Sequence, residues 1–262
     1  MKGILSYSLL LVKAVLFKNI LYLKRYWVNT LFGVIIMTLV FVAISYGVSI
    51  LSSSYIHEES TYLISGYVSW MFMTASFSTM VNNITNEASL GTLEQLYINS
   101  KYLTLTLLAQ AFSNFITYWI QFLLLTLIVV LLQLAPAYII TGYVLYLPIF
   151  FVGTISLWGC GLIVAALALE HKNVSSIYTA LSTLLFGAIS YISQNYDTWI
   201  LDLVPFASTC HNFNMFLQGE IDLKVGFICK IVLNSAVYIL IGINIFKRGI
   251  VRSKKFGNFA KH

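Results

Sequence analysis

Histidine, cysteine and glycine-lysine pairs are the first places to look for chemistry in this chain, and their spacing excludes most of it. His57, His171, His211 and His262 are scattered along the sequence, with no His-Glu-x-x-His and no His/Cys cluster at metal-ligand spacing, so no metal site is expected. His57-Glu58-Glu59 reads as a solvated turn. Cys160, Cys210 and Cys229 are odd in number and lack a Cys-x-x-Cys pair, which predicts free thiols that pack as small apolar groups. A phosphate-cradling loop needs a Lys after its second Gly, and none of the 15 glycines is followed by Lys-Ser or Lys-Thr. No catalytic residue and no cofactor is therefore expected in this chain, and any ATP and Mg would be bound by another polypeptide. Gly159-Cys160-Gly161, with Gly153 upstream, reads as a close helix contact rather than a dinucleotide loop, because no strand precedes it.

The elements that carry these residues follow from composition. Of 262 residues, 59% are hydrophobic and 9% charged, with mean hydropathy +0.86. A soluble domain carries about 25% charged residues, so this chain cannot cover a globule with polar surface. A soluble enzyme with one anchor is excluded, and so is a nucleic-acid binder, despite a pI near 9.1. Spanning a bilayer takes about 20 largely apolar residues. Six stretches qualify, near Val28–Leu51, Thr61–Val81, Leu108–Gln133, Val144–Leu169, Val174–Ser193 and Val225–Phe246. No period-two alternation argues for a barrel. The expectation is an all-α membrane protein with six transmembrane helices and one domain over 1–262: a leader over 1–27, a bundle over 28–246 and a basic tail over 247–262.

Charge assigns the sides. With six spans, 13 of the 15 basic residues fall on one side with three acids, and the other side holds Lys224 and Lys230 against six acids. By the positive-inside rule both termini are cytoplasmic in a multi-pass protein of the cell (plasma) membrane. Ile4–Val12 resembles the apolar core of a signal peptide, but Lys13 interrupts it and no small-residue cleavage site follows, so it reads as retained. In the leader, Leu9, Val12, Leu16, Ile20 and Leu23 fall on one helical stripe, opposite Lys13, Lys18, Lys24 and Arg25. That pattern predicts either an N-terminal helix lying in the cytoplasmic interface or a basic leader that only sets orientation. No ionisable residue lies in the middle of a span, which argues against proton or sodium coupling. Lys230 reads as an outer-interface residue. Asn114, Gln121 and Asn234 read as interhelical hydrogen-bonding groups before they read as substrate contacts.

The loop between spans 2 and 3 has a design of its own. Gly91 permits a chain break, Thr92 is a good N-cap, Gln95 completes a capping box and Glu94 sits in the first turn of the short helix that follows. Leu93, Leu96 and Tyr97 share one face of that helix, an apolar knob that wants a groove in this chain's own span ends or in a partner.

The string from Glu87 through Gly91-Thr92-Leu93-Glu94-Gln95-Leu96 resembles the permease subunits of type-2 ABC exporters, the ABC-2 membrane family. The resemblance covers nearly the whole chain: a basic leader ending in Lys24-Arg25-Tyr26, six spans, and a long outer loop with a proline-containing apolar segment before span 6. Here Ala88-Ser89-Leu90 stand where the family often has further charges. Asn212–Gly219 also lacks a basic residue that the family often has. The resemblance implies a short cytoplasmic coupling helix docked on an ABC ATPase subunit, with Leu93, Leu96 and Tyr97 in its groove and Glu94 and Gln95 at the rim. It implies a second permease copy, in a homodimer or heterodimer within the membrane lipid. It also implies that an outer segment including Trp199, Leu203, Pro205 and Phe206 dips back into the outer leaflet; the competing reading is an interfacial aromatic anchor. The 18 Phe and 17 Tyr suit an amphipathic or lipid-like cargo such as a drug, peptide or glycolipid. Rival expectations are an ATP-independent channel or facilitator and a non-transporting membrane scaffold. No substrate-binding residue is singled out.

Overall fold

The computed structural model describes residues 2–52, 56–100, 102–169, 174–194, 200–217 and 225–255. Among them every regular element is α-helical: α1 (Lys2–Arg25), α2 (Trp27–Ser52), α3 (Ile56–Ser89), α4 (Leu93–Asn99), α5 (Leu103–Leu131), α6 (Tyr138–Ala168), α7 (Ser175–Gln194), α8 (Ile200–Leu203), α9 (Ala207–Leu217) and α10 (Val225–Lys255). Trp199, His171, His262 and the last part of the expected basic tail, 256–262, lie outside the described residues; its first part, Lys247–Lys255, continues α10.

Among the described residues four helices are long and apolar enough to cross a membrane: Trp27–Gly47 of α2, all of α5, all of α6 and Gly226–Lys255 of α10. The chain is a membrane protein on that ground. The other two expected spans fall in α3 and α7. α7 is apolar over Ser176–Ile189 only. α3 is diluted by Ser65, Ser69, Ser76 and Thr79, all buried. The cause is position: α3 packs among α2, α5, α6, α7 and α9, so its polar side chains meet protein rather than lipid tails. The outward faces are apolar, with Phe32, Ile36 and Leu39 on α2 and Leu233, Leu240 and Val251 on α10 exposed.

Directions can be read from pairs of contacts. α6 and α10 run parallel at a nearly constant offset: Ser235 Oγ donates to Val152 O at 2.7 Å, Gly242 abuts Gly159, Gly249 abuts Ala166, and Ser253 Oγ donates to Leu169 O at 3.1 Å. The small residues recur every seven positions, the repeat that keeps two helices in one seam. A β-carbon added to Gly242 would come within 2.3 Å of the Gly159 carbonyl oxygen, so these backbones touch only because neither residue has a side chain. Gly161 admits α3 in the same way, and Gly153 admits Thr209 of α9. The close contact expected at Gly153, Gly159 and Gly161 is therefore present, against three different neighbours.

α3 is parallel to α6, since Tyr143 reaches Ile64 O and Gly161 lies at Phe77 and Met80. α7 is antiparallel to α3, with Phe77 stacked on Tyr178 and Trp70 tilted against Phe186. α5 is antiparallel to α6, with Phe112 on Phe151 and Trp119 on Tyr143. α1 lies lengthwise along α5 in the same direction, because Tyr7 meets Tyr102 and Asn19 meets Ser113 and Asn114. Its buried side is not quite the predicted stripe: Val12, Leu16 and Leu23 turn inward, while Leu9 and Ile20 are exposed.

The aromatic residues account for much of the core. Phe150 of α6 touches Phe72, Trp119, Phe206 and Phe213, with ring centroids 5.4, 5.7, 5.6 and 4.9 Å away. Edge-on and tilted pairs of this kind add about 0.5–1.5 kcal/mol each to the area buried. They join the middles of α3, α5 and α6 to the α8–α9 segment.

Candidate functional site

The turn from α3 into α4 is built by backbone chemistry. Thr92 N donates to Glu87 O at 2.9 Å and Gly91 N to Ala88 O at 3.2 Å, the paired bonds of a Schellman motif. That motif needs a left-handed residue, and Gly91 supplies it at φ 69°. The chain break expected at Gly91 is thus present, and α4 begins where the sequence placed it.

The capping box does not form. Thr92 has φ −99° and ψ 0°, and no side-chain cap bond. Its hydroxyl instead donates to Glu87 Oε2 at 2.5 Å, turning back toward α3. With the Schellman bonds already closing the turn, the Thr92 side chain is aimed at the preceding helix and its Oγ1 cannot accept from Gln95.

The apolar knob is also turned the other way from the docking expectation. Leu93 is 1% exposed, and Leu96 and Tyr97 pack against the core of this chain. Lys254 Nζ sits 4.6 Å from the Tyr97 ring centroid, tying the end of α10 to α4. Of the two grooves the knob could fill, it fills the chain's own. The face left open carries Glu94, Gln95 and Ile98, with Leu90 beside it; Leu90 and Ile98 are 74% and 70% exposed. This surface, two apolar side chains around an acid and an amide, is what α4 presents outward.

At the opposite end, the segment before α10 forms α8, a turn and α9. Leu203 is exposed, Pro205 and Phe206 are buried, and Phe206 takes φ 67°. The part that enters the bundle is α9, where Cys210, His211, Asn212 and Phe213 are all buried. The sequence pointed to the residues just before it, because their apolar run is more conspicuous than the mixed Ser-Thr-Cys-His-Asn run of α9. Three contacts fasten α8 to α10: Lys230 Nζ to Asp202 Oδ2 at 2.8 Å, Asn234 Nδ2 to Asp202 O at 2.7 Å, and Tyr238 Oη to Leu203 O at 2.7 Å. Lys230 is thus an ion-pair partner as well as an end-of-helix residue, and Asn234 a helix-to-helix hydrogen bond.

Comparison with family profiles and with curated proteins returns no match. The geometry therefore carries the reading alone. Among the described residues no group of three or more His, Cys, Asp or Glu converges as a metal site. Cys160, Cys210 and Cys229 are free thiols. Burial pushes the Cys210 thiol up to about 12, which keeps it protonated and unreactive.

Asn114 does make the interhelical bond expected of it, accepting from Asn19 Nδ2 at 3.1 Å. Gln121, two turns further along the same face of α5, lines a polar cavity between α1, α2 and α5. That cavity was missed at the level of single residues. Asn114, Thr117, Tyr118 and Gln121 are spaced i, i+3, i+4 and i+7, a polar stripe on an otherwise apolar helix that periodicity could have found.

Proposed function

We propose that this chain is the permease subunit of an ATP-binding-cassette exporter of the ABC-2 type, with six spans and both termini cytoplasmic in the cell membrane. The observation that carries it is the α3–α4 junction. A long central helix ends in a fixed turn and carries a short helix whose outer face, Leu90, Glu94, Gln95 and Ile98, is exposed among the described residues. A mixed apolar and polar face of that size, rigidly joined to a core helix, suits docking on a separate protein that must push or pull on α3. The helix directions support the span count: α3, α6 and α10 run one way, α5 and α7 the other, as strict alternation requires. Under this reading α3 and α7 complete the six spans, α3 shielded by its neighbours, and α4 lies on the basic side of the membrane.

The partner is an ATPase subunit that binds ATP and Mg. A second copy of the permease, identical or related, completes the path for an amphipathic or lipid-like cargo. The aromatic residues that suggested such a cargo are largely spent on one another in the core, so cargo class rests on the resemblance and not on aromatic content. ATP binding favours one orientation of the dimer by its differential affinity for the two states.

The test is co-purification from native membrane followed by ATP hydrolysis in lipid. Because Leu93 is buried, the informative variants are Glu94→Lys and Ile98→Asp, with Leu93→Ala kept as a folding control. Loss of the co-purified ATPase, or of transport-coupled hydrolysis, in the two surface variants is the expected result. An ATP-independent facilitator instead predicts solute flux from the purified chain alone in liposomes, and a scaffold predicts neither activity.

A further inference from the structure

We infer that the cavity between α1, α2 and α5 is a binding site for a neutral, polyhydroxylated ring, of the kind carried by a hexose or by the sugar headgroup of a glycolipid. The juxtaposition is of Asn19 on α1, Asn29 on α2, and Asn114, Thr117, Tyr118 and Gln121 on α5, around a space of about 270 Å³. Tyr22, Thr30, Leu23 and Gly33 complete the lining, so eight of the ten residues can hydrogen bond through a side chain. Both neighbouring spans are otherwise apolar on their outward faces.

Helix packing explains only part of this set. Asn19 Nδ2 is used, donating to Ser113 Oγ at 2.7 Å and to Asn114 Oδ1 at 3.1 Å, and Thr117 Oγ1 donates to Ser113 O at 3.2 Å. Asn29 and Gln121 make no hydrogen bond to another described residue, so two full amides, each with two donors and an acceptor, face the cavity unspent. Acyl chains cannot satisfy them, whereas a ligand that both donates and accepts can.

Three features select the ligand class. First, no Lys, Arg, His, Asp or Glu lines the space, so neither a phosphate nor an ammonium group finds a counter-charge. Second, amides and hydroxyls both donate and accept, which matches vicinal hydroxyls, and Tyr22 and Tyr118 add aromatic rings to the lining. Third, a space of about 270 Å³ lies just below the roughly 300–1,000 Å³ of pockets for drug-sized ligands, room that suits a single ring. The cavity lies in the first two turns of the apolar stretch of α2 that starts at Trp27 and beside the middle of α5, where Asn114 to Gln121 stand about 16 to 27 Å along that helix. The inference does not depend on the exporter reading, because a permease, a facilitator or a scaffold could each hold such a lipid.

Gly33 offers a plug. A β-carbon there meets nothing within 4 Å, so Gly33→Leu fills the cavity without forcing the backbone. The experiment uses the full chain in a polyoxyethylene detergent, since maltoside and glucoside detergents would compete. Micelles carry equal amounts of glucosyl-diacylglycerol, diacylglycerol and phosphatidylglycerol of the same chain length, and adducts are counted by native mass spectrometry. The expected result is a glucosyl-diacylglycerol adduct favoured about tenfold or more over the other two lipids, as two or three net hydrogen bonds would give. That adduct should fall to background in Gly33→Leu and in Gln121→Leu, both with unchanged helical content by circular dichroism. Millimolar free glucose should displace the lipid if the ring itself is recognised. Equal adducts from all three lipids would overturn the proposal, as would a glucosyl adduct that survives in both variants. An adduct that free glucose fails to displace and that plain diacylglycerol reproduces would show a site for acyl chains and would equally refute it.

Discussion

The contact between Gly159 and Gly242 sets the spacing of α6 and α10, and it can be tested by adding one methyl group. In Gly242→Ala the new carbon would lie 2.3 Å from Gly159 O and 2.9 Å from its carbonyl carbon, both backbone atoms that cannot swing away. Ordinary contact needs about 3.5 Å, so the helices must part by about 1 Å, a gap that forfeits up to half of each dispersion well across the seam. The seam runs from Val152–Ser235 to Leu169–Ser253, and its terminal hydrogen bonds of 2.7 and 3.1 Å would stretch with it. Overpacking costs about 1–3 kcal/mol and each weakened bond up to about 1 kcal/mol, against a gain of about 1 kcal/mol from alanine's helix propensity. The net expectation is a loss of about 2–3 kcal/mol, roughly a 30- to 150-fold change in the unfolding equilibrium.

Gly66→Ala on α3 is the matched control, because a β-carbon there meets nothing within 4 Å. It should stabilise by about 0.5–1 kcal/mol. Reversible unfolding in mixed micelles, titrating SDS against a mild detergent and following helicity, reads both. The opposite signs are the point. If Gly242→Ala proves as stable as Gly66→Ala, the backbones do not touch and the parallel α6–α10 seam is wrong.

Gln133 ends α5 in a left-handed conformation at φ 58°, with Leu134 N donating to Val129 O at 3.1 Å, so it occupies a glycine position. Gln133→Gly should raise stability by about 1 kcal/mol in the same titration, whereas a Gly elsewhere in a helix lowers it. Cys229 is exposed and Cys210 buried with its thiol raised to about 12, so a maleimide at pH 7 should label Cys229 and spare Cys210 until the protein is denatured. A membrane-impermeant maleimide should reach Cys229 from outside intact cells if that end of α10 faces out. Asn234→Leu removes the amide donated to Asp202 O and should cost about 1 kcal/mol, whereas Lys230→Met, at a pair that is about half exposed, should cost less.

Hydropathy made the helices of the bundle legible because lipid contact imposes its own composition. α2, α5, α6 and α10 each leave apolar side chains exposed, and each is apolar enough to be recognised. α3 is less so, since a helix enclosed by five others answers to its neighbours, and Ser69, Ser76 and Thr79 are admitted where a lipid-facing helix would carry Leu. The glycines of α6 were legible as contact points but not their partners, because a missing side chain says that something approaches and not what. At the α3–α4 turn the residues were right and two of their roles were not. Thr92 and Gln95 satisfy a capping-box pattern in sequence, yet Gly91 lets the backbone close the turn first, and the Thr92 hydroxyl then finds Glu87. Likewise an i, i+3, i+4 apolar face says that Leu93, Leu96 and Tyr97 must be covered, while only tertiary packing decides that this chain covers them itself.

That last point changes what α4 can transmit. Were Leu93 the residue that docks, α4 would be held by a partner and only loosely by its own chain. With Leu93 buried, Thr92 bonded to Glu87 and Tyr97 under Lys254, α4 is joined on one side to α3 and on the other to the end of α10. α10 is in turn locked to α6 along the glycine seam, and α6 to α3 through Gly161. A displacement applied to Glu94 and Ile98 would therefore reach three parallel helices as one body, and through Asp202, Asn234 and Tyr238 would reach α8 at the far end. On the proposed function, this predicts that Gly242→Ala and Tyr238→Phe weaken coupling between ATP hydrolysis and transport without touching the docking face. The ATPase should still co-purify with both variants in the wild-type ratio to folded permease while transport per ATP falls. A variant of either kind that loses the ATPase outright would place docking in the helix seam, and α4 would no longer be needed to explain coupling.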